Sequence, residues 1–89
     1  MLKIKQSSTF GKDVKKAVMQ GRDIIKILPP LILLATEQQL PAQYKNHPLS
    51  GKWAGYFEFH AEFDWLIIYR IVNGFLVLER MGTHDDLFK

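Results

Sequence analysis

The run Trp65-Leu66-Ile67-Ile68-Tyr69-Arg70-Ile71-Val72-Asn73-Gly74-Phe75-Leu76-Val77-Leu78-Glu79-Arg80 decides the fold. Two stretches rich in β-branched and aromatic residues flank an Asn-Gly pair, the pair that best tolerates the two left-handed positions of a tight hairpin turn. The spacing predicts strands at 65–71 and 75–80, with Leu66, Ile68 and Arg70 on one face and Trp65, Ile67, Tyr69 and Ile71 on the other. Just upstream the same period of two places Tyr56, Glu58 and His60 on one face and Phe57 and Phe59 on the other, which predicts a strand at 54–60. Three consecutive strands with short connections make a meander.

Ahead of the meander the period changes. Leu2 and Ile4 alternate with Lys3 and Lys5, a short strand at 2–6. Ser7-Ser8-Thr9 offers capping oxygens for a helix whose apolar stripe is Phe10, Val14, Ala17 and Val18, ended by Gly21. Asp23 can cap a second helix. Its broad apolar face, from Ile24 to Ala35, contains Pro29 and Pro30. Proline costs about 3 kcal/mol inside a helix, so a kink or a restart with proline near the first turn is expected, with the helix ending near Gln39. Residues 41–52 read as a loop. The order is βααβββ: an α+β, two-layer fold with a twisted antiparallel sheet packed on two N-terminal helices, in one domain spanning 1–89.

Composition narrows the class. The 89 residues contain no cysteine, which excludes disulfides and thiolate metal sites. Met1-Leu2-Lys3-Ile4-Lys5 is not the start of a secretory signal, and the apolar stretch Ile27 to Ala35 is too short for a bilayer, so a soluble, intracellular protein is expected. Residues 1–52 hold nine Lys/Arg against three Asp/Glu, and residues 53–89 hold three against six. A basic first half suits phosphates or an acidic partner, although lysines on a solvated helix face explain it equally well.

The titratable chemistry gathers in the last half. All three histidines lie there, within Asn46-His47-Pro48-Leu49-Ser50-Gly51-Lys52-Trp53, His60-Ala61-Glu62-Phe63-Asp64-Trp65 and Arg80-Met81-Gly82-Thr83-His84-Asp85-Asp86-Leu87-Phe88. Histidine alone has an unperturbed pKa near neutrality. Paired metal-ligand spacings such as H-E-x-x-H are missing, so no metal centre is expected. There is no nucleophile elbow, P-loop or dinucleotide fingerprint either. Metal-independent acid–base cleavage of RNA through its own 2′-hydroxyl fits better. It needs a base, an acid and a cation for the phosphorane, with Arg70, Arg80 or Lys52 as candidate cations. Trp53, Tyr56, Trp65 or Phe88 are candidates to stack on splayed bases. Each residue also has a purely structural reading. His47 fits a loop, His60 a hydrogen-bonded strand end and Asp64 a turn cap. Trp53 and Trp65 fit a core, and Arg80 could pair with Glu79 or Glu58.

Three motifs in order make a specific pattern: His47-Pro48-Leu49-x-Gly51-x-Trp53-x-Gly55-Tyr56, His60-x-Glu62-x-Asp64-Trp65-x-x-Ile68-Tyr69 and Glu79-Arg80-x-Gly82-Thr83-His84-x-x-Leu87-Phe88. They resemble the YafQ branch of the RelE/ParE toxin superfamily over roughly residues 44–88. The resemblance implies a ribosome-dependent endoribonuclease that cuts mRNA in the ribosomal A site without metal or cofactor. It also implies a bacterial cytoplasmic location and neutralisation by a cognate RelB/DinJ-like antitoxin, with a monomer when free and a hetero-oligomer with the antitoxin. It maps functional residues onto His47, His60, Asp64, His84 and Phe88. As a hypothesis for their roles, Asp64 and His60 form the base or its partner, His84 is the acid, His47 orients or offsets charge at the phosphate, Arg80 stabilises the phosphorane, and Phe88 stacks on a base. Lys52, Trp53, Trp65 and Arg70 complete the expected substrate-binding set. Two positions depart from the branch: Phe57 stands where an arginine is common, and Phe63 where a proline is usual. A ParE-like relative acting on DNA gyrase, or a non-catalytic RNA-binding module, would share the fold.

Overall fold

The hairpin at Asn73-Gly74 forms as its residues require. Asn73 (φ 51°) and Gly74 (φ 79°) are both left-handed, joining β4 (Trp65–Val72) to β5 (Phe75–Gly82). The computed structural model describes residues 1–89. β3 (Phe57–Glu62) pairs antiparallel with β4, and β1 (Lys3–Gln6) lies parallel to β5 at one edge. The sheet is therefore mixed, because β1 leads into the helices and the meander returns beside it in the same direction.

A fifth strand lies in the segment expected to be only loop. β2 (His47–Pro48) pairs with Phe57 and Glu58, giving the order β1-β5-β4-β3-β2. Two residues are too few for an alternating pattern. Short 3-10 turns at Ala42–Tyr44 and Gly51–Trp53 flank it.

Helix α1 (Ser8–Met19) starts where Ser7 accepts a hydrogen bond from the Phe10 N–H. Phe10 and Ala17 are buried, but Val18 is 54% exposed, so the expected stripe is narrower than four residues. Asp23 caps a 3-10 turn at Ile24–Ile27, and α2 (Leu28–Ala35) follows with both prolines in its first turn. The restart thus removes the proline penalty.

α2 stops at Ala35, four residues before the expected end at Gln39. Gln38 N donates to Leu33 O at 2.8 Å and Glu37 N to Leu34 O at 3.0 Å, with Glu37 left-handed at φ 60°. This is a Schellman ending. It is hard to read from sequence because a glutamate holds the position usually given to glycine.

The helices pack on one face of the sheet. Phe10, Ala17, Leu31, Leu34 and Ala35 meet Phe59, Trp65, Ile67, Tyr69, Leu76 and Leu78. Burying each of the larger side chains contributes about 1.5–3 kcal/mol. On the opposite face Leu66 and Ile68 are covered by Leu87, Leu49, Trp53 and Tyr56. Cover on both faces explains the unbroken apolar run at the start of β4.

The second cover depends on a short helix that periodicity alone does not reveal, α3 (His84–Phe88). Its sign in the sequence is Thr83-x-x-Asp86. The Thr83 side chain accepts from the Asp86 N–H, and the Asp86 side chain accepts from the Thr83 N–H. Gly82 permits the fold-back, since a Cβ there would meet Asp86 Oδ2 at 2.8 Å and its Cβ at 2.9 Å.

Candidate acid–base site

β3 places Glu58 and His60 on the face away from α1 and α2, opposite Ile68 and Leu66 of β4. β2 then sets His47 directly across from Glu58. His47 Nε2 lies within hydrogen-bond distance of Glu58 Oε1 at 2.9 Å, and His60 Nε2 lies 3.5 Å from the same oxygen. Glu58 is only 3% exposed, and its Oε2 has no hydrogen-bond partner. A buried carboxylate is costly unless it is paired, and here one oxygen gathers both imidazoles into a single carboxylate–imidazole cluster. The other ring nitrogen of His47, Nδ1, lies 3.1 Å from the Pro48 carbonyl oxygen.

His60 differs. Burial lowers its pKa from the ordinary value of 6.5, and this outweighs the raising effect of Glu58; His84, Lys45 and His47 lower it further. Near pH 7 the ring is neutral and able to accept a proton.

The far end of β3 brings in the second pair. The ladder slips between His60 and Glu62, a bulge that turns the strand before the left-handed Asp64 (φ 52°). Asp64 Oδ1 accepts from the His84 backbone N–H and from His84 Nδ1, each at 2.9 Å. These two bonds, backbone first, hold the Asp64 carboxyl below its ordinary 3.8. With Nδ1 committed, Nε2 is the nitrogen of His84 left to meet a ligand.

The rings form a row. His47 and His60 have centroids 6.3 Å apart, His60 and His84 6.1 Å, and His84 and Phe88 6.0 Å. His47, His60, Asp64, His84 and Phe88 are therefore brought together. Glu58, at the centre of the row, was not among the residues singled out from the sequence. Its alternation with His60 on one strand face was the available signal.

Other expected residues lie elsewhere. Trp65 is 1% exposed, its ring covered by the Arg22 guanidinium at 5.0 Å, so it belongs to the core and cannot stack on a base. Trp53 packs edge-on against Tyr56 and over Leu66 and Ile68. Arg80 is held by Asp13 of α1, with Nε at 2.9 Å and Nη2 at 3.3 Å, and Asp13 also accepts from the Met81 N–H. That carboxylate raises the Arg80 pKa further and ties the guanidinium to α1, not to the imidazoles. Lys52 is exposed on the turn beside β2, and Arg70 lies farther along β4. Phe57 points to the opposite face from Glu58 and stacks on Tyr69 at 5.8 Å. Phe63 is 97% exposed, and Asp64 reaches His84 in spite of it.

The spacing of the histidines held no sign of one further arrangement. Ligand atoms of His47, Glu58 and His60 all lie within 4.8 Å of one another, a donor set that could hold a metal ion.

Fold and site together define a small α+β protein of the RelE kind, with an imidazole–carboxylate row on the face of its sheet away from the two long helices. The chain matches the family described as the bacterial toxin of type II toxin-antitoxin systems, YafQ, over residues 2–89, and it belongs to that family. It is 43% identical over 86 residues to the mRNA interferase toxin YafQ of Escherichia coli K12, covering 96% of this chain and 94% of that one. The E. coli DinJ-YafQ complex contains a chain of the same fold, with a TM-score of 0.91, 41% identity and full coverage of both chains. A metal-bound toxin from Helicobacter pylori superposes with a TM-score of 0.93 at 40% identity, covering 99% of this chain and 100% of that one.

Proposed function

We propose that this toxin is a ribosome-dependent mRNA interferase that cleaves RNA by acid–base chemistry through the 2′-hydroxyl. The observation that carries the reading is the row of two differently held imidazole groups, one centred on Glu58 and one on Asp64. Neutral His60, backed by Glu58, takes the 2′-OH proton. The 2′-oxygen attacks phosphorus, and the P–O5′ bond breaks. His84, in its protonated form, delivers a proton from Nε2 to the departing 5′-oxygen. The products are a 2′,3′-cyclic phosphate and a 5′-hydroxyl. His47 orients the phosphate or offsets charge on its oxygens, and Phe88 stacks on a neighbouring base. Arg80 stabilises the phosphorane only if it leaves Asp13.

The partner class follows from the family. The E. coli relative is found in complex with DinJ, and a cognate antitoxin is proposed to neutralise this chain by wrapping an extended or helical acidic segment over its basic first half. The working compartment is then the bacterial cytoplasm, where ribosomes are. No helix is long and apolar enough to cross a membrane.

Purified protein added to translating ribosomes, with primer extension on the mRNA, is the test. Cleavage by the wild type that is lost in His84→Ala is expected, and full cleavage by that variant would overturn the mechanism. A gyrase supercoiling assay tests the ParE-like alternative. RNA binding without cleavage, surviving loss of all three histidines, would mark a non-catalytic binding module.

A second reading rests on the donor set of His47, Glu58 and His60 and on the metal-bound H. pylori relative. A transition-metal cation held there would occupy the carboxylate–imidazole cluster and block the base. Zn²⁺ or Cu²⁺ is expected to inhibit cleavage, with recovery on adding EDTA. Undiminished cleavage at saturating metal would exclude this reading.

A further inference from the structure

The face that carries the imidazole row continues past it into a groove of about 390 Å³. Its floor is Val72, Phe75 and Val77, and its rim carries Lys5, Arg70 and Glu79. The β4–β5 ladder explains the grouping. Arg70 is paired with Val77 and Val72 with Phe75, so these side chains share the face of Ile68 and Glu58. β1 brings Lys5 alongside, because its register places Lys5 next to Val77. A slip in the ladder between Ile68 and Tyr69 leaves Glu79 as the extra residue that closes the rim.

Both cations lie over aromatic rings. Lys5 Nζ is 5.7 Å from the Phe75 centroid, and the Arg70 guanidinium is 5.4 Å from that of Tyr56. The only carboxylate within ion-pair reach of Arg70 is that of Glu79, at 3.9 Å, with the Arg70 side chain 44% exposed. Such a long, solvent-screened pair leaves the guanidinium available to a stronger partner. Cations seated on aromatic surface beside an apolar floor are what a single-stranded nucleic acid uses, with phosphates on the cations and a base on the floor.

Continuity with the reaction centre selects RNA over other occupants. Arg70 is two residues along β4 from Ile68, the partner of Glu58. The groove therefore begins about 7 Å along the strands from the Glu58 row and spans about 5–15 Å across them, from β4 to β1. A few nucleotides of single strand cover that reach, and Tyr56 is the aromatic step between the two places.

We propose that this groove is a second nucleotide-binding subsite, which holds the same RNA strand a few nucleotides from the cleaved bond through Lys5, Arg70 and Phe75. The proposal rests on the RNA-cleaving reading above and extends it. The subsite has no proton-transfer group facing it other than Glu79, so its role is affinity and register on the strand.

The test uses the full chain carrying His84→Ala and fluorescein-labelled single-stranded RNA of three and of eight nucleotides, read by anisotropy. Adding Lys5→Ala and Arg70→Ala should weaken the octamer about tenfold and leave the trimer within about twofold. The slope of log K against log salt should fall by about 1.4 for the octamer, two phosphates' worth. Phe75→Leu, which keeps the floor apolar but removes the ring, should weaken the octamer by a smaller factor. Unchanged octamer binding, or equal losses for both lengths, overturns the subsite. Unchanged RNA binding with weakened neutralisation by the antitoxin also overturns it, since the groove would then serve a protein. Cleavage by the otherwise native chain is measured in parallel. Groove-dependent binding without cleavage sinks the nuclease reading alone, and cleavage with groove-independent binding sinks the subsite alone.

Discussion

One oxygen of Asp64 holds His84 twice: Oδ1 accepts from the backbone N–H and from Nδ1, each at 2.9 Å. The carboxylate therefore fixes both the start of α3 and the tautomer of the ring it presents. Asp64→Asn keeps the shape, but its amide no longer guarantees an acceptor at that place. Cleavage in a ribosome-programmed primer-extension assay should fall about 10- to 1,000-fold, within the range for general acid–base groups. A rate within twofold of wild type would remove Asp64 from the mechanism. The same contacts hold its folded pKa below 3.8. The stability they confer is present above that value and is lost as pH falls through the lower folded pKa.

Glu58 raises the His60 pKa against the lowering effect of burial. Glu58→Gln removes that opposition, so the His60 titration should move to still lower pH. The neutral base should persist further into acid, and the acidic limb of the cleavage profile should shift the same way if His60 is the base. Imidazole chemical shifts followed by NMR against pH read the first effect directly. A His60 midpoint that rises in the variant would contradict the assignment. For stability, a depressed histidine pKa contributes above the unfolded value and is lost on acidification through the folded one.

Gly82 is required by contact, not by a left-handed backbone. A methyl group there would lie 2.8 Å from Asp86 Oδ2 and 2.9 Å from its Cβ. Gly82→Ala should push α3 off the end of β5, costing about 1–3 kcal/mol and displacing His84 and Phe88 together. Urea unfolding and cleavage should both suffer. A variant of normal stability and activity would show that the capping box yields without cost.

Glu37 occupies the left-handed position after α2 at φ 60°. Glycine adopts that conformation without a Cβ penalty. Glu37→Gly should stabilise the fold by about 0.5–1 kcal/mol, raising Tm by about 2–8 °C for a domain of this size. Cleavage should be unchanged, because Glu37 lies at the end of α2 and takes no part in the imidazole row. A lower Tm would mean that the Glu37 side chain makes a contribution larger than its backbone strain.

Local signals carried the regular elements. Asn73-Gly74 with alternating apolar residues located the hairpin, Ser7 and Asp23 marked their caps, and the proline pair called for a kink or a restart, of which the structure shows the restart. What they did not reveal depends on particular exceptions. Strand β2 is too short for periodicity, α3 announces itself only through a capping box, and α2 ends on a glutamate where the rule expects glycine. Trp65 looked as available as Phe88 because side-chain type does not report burial. Arg80 looked like a phosphate cation until Asp13, 67 residues away in the chain, was found beside it.

Local signals in the sequence carried β1, α1, the three strands of the meander and the face each strand residue occupies, and the resemblance of its three ordered motifs pointed to His47, His60, Asp64, His84 and Phe88. The elements and the faces follow from dihedral preference and from periods of two and 3.6, which act over a few residues, whereas the residue set is what the resemblance implies. Only the tertiary structure decided that His47 and His60 share the buried carboxylate of Glu58, that Asp64 locks His84, and that Arg80 is already engaged. Each of these is a distance between atoms from separate elements. Strand register and packing set such distances, and through them the availability of each group in the row.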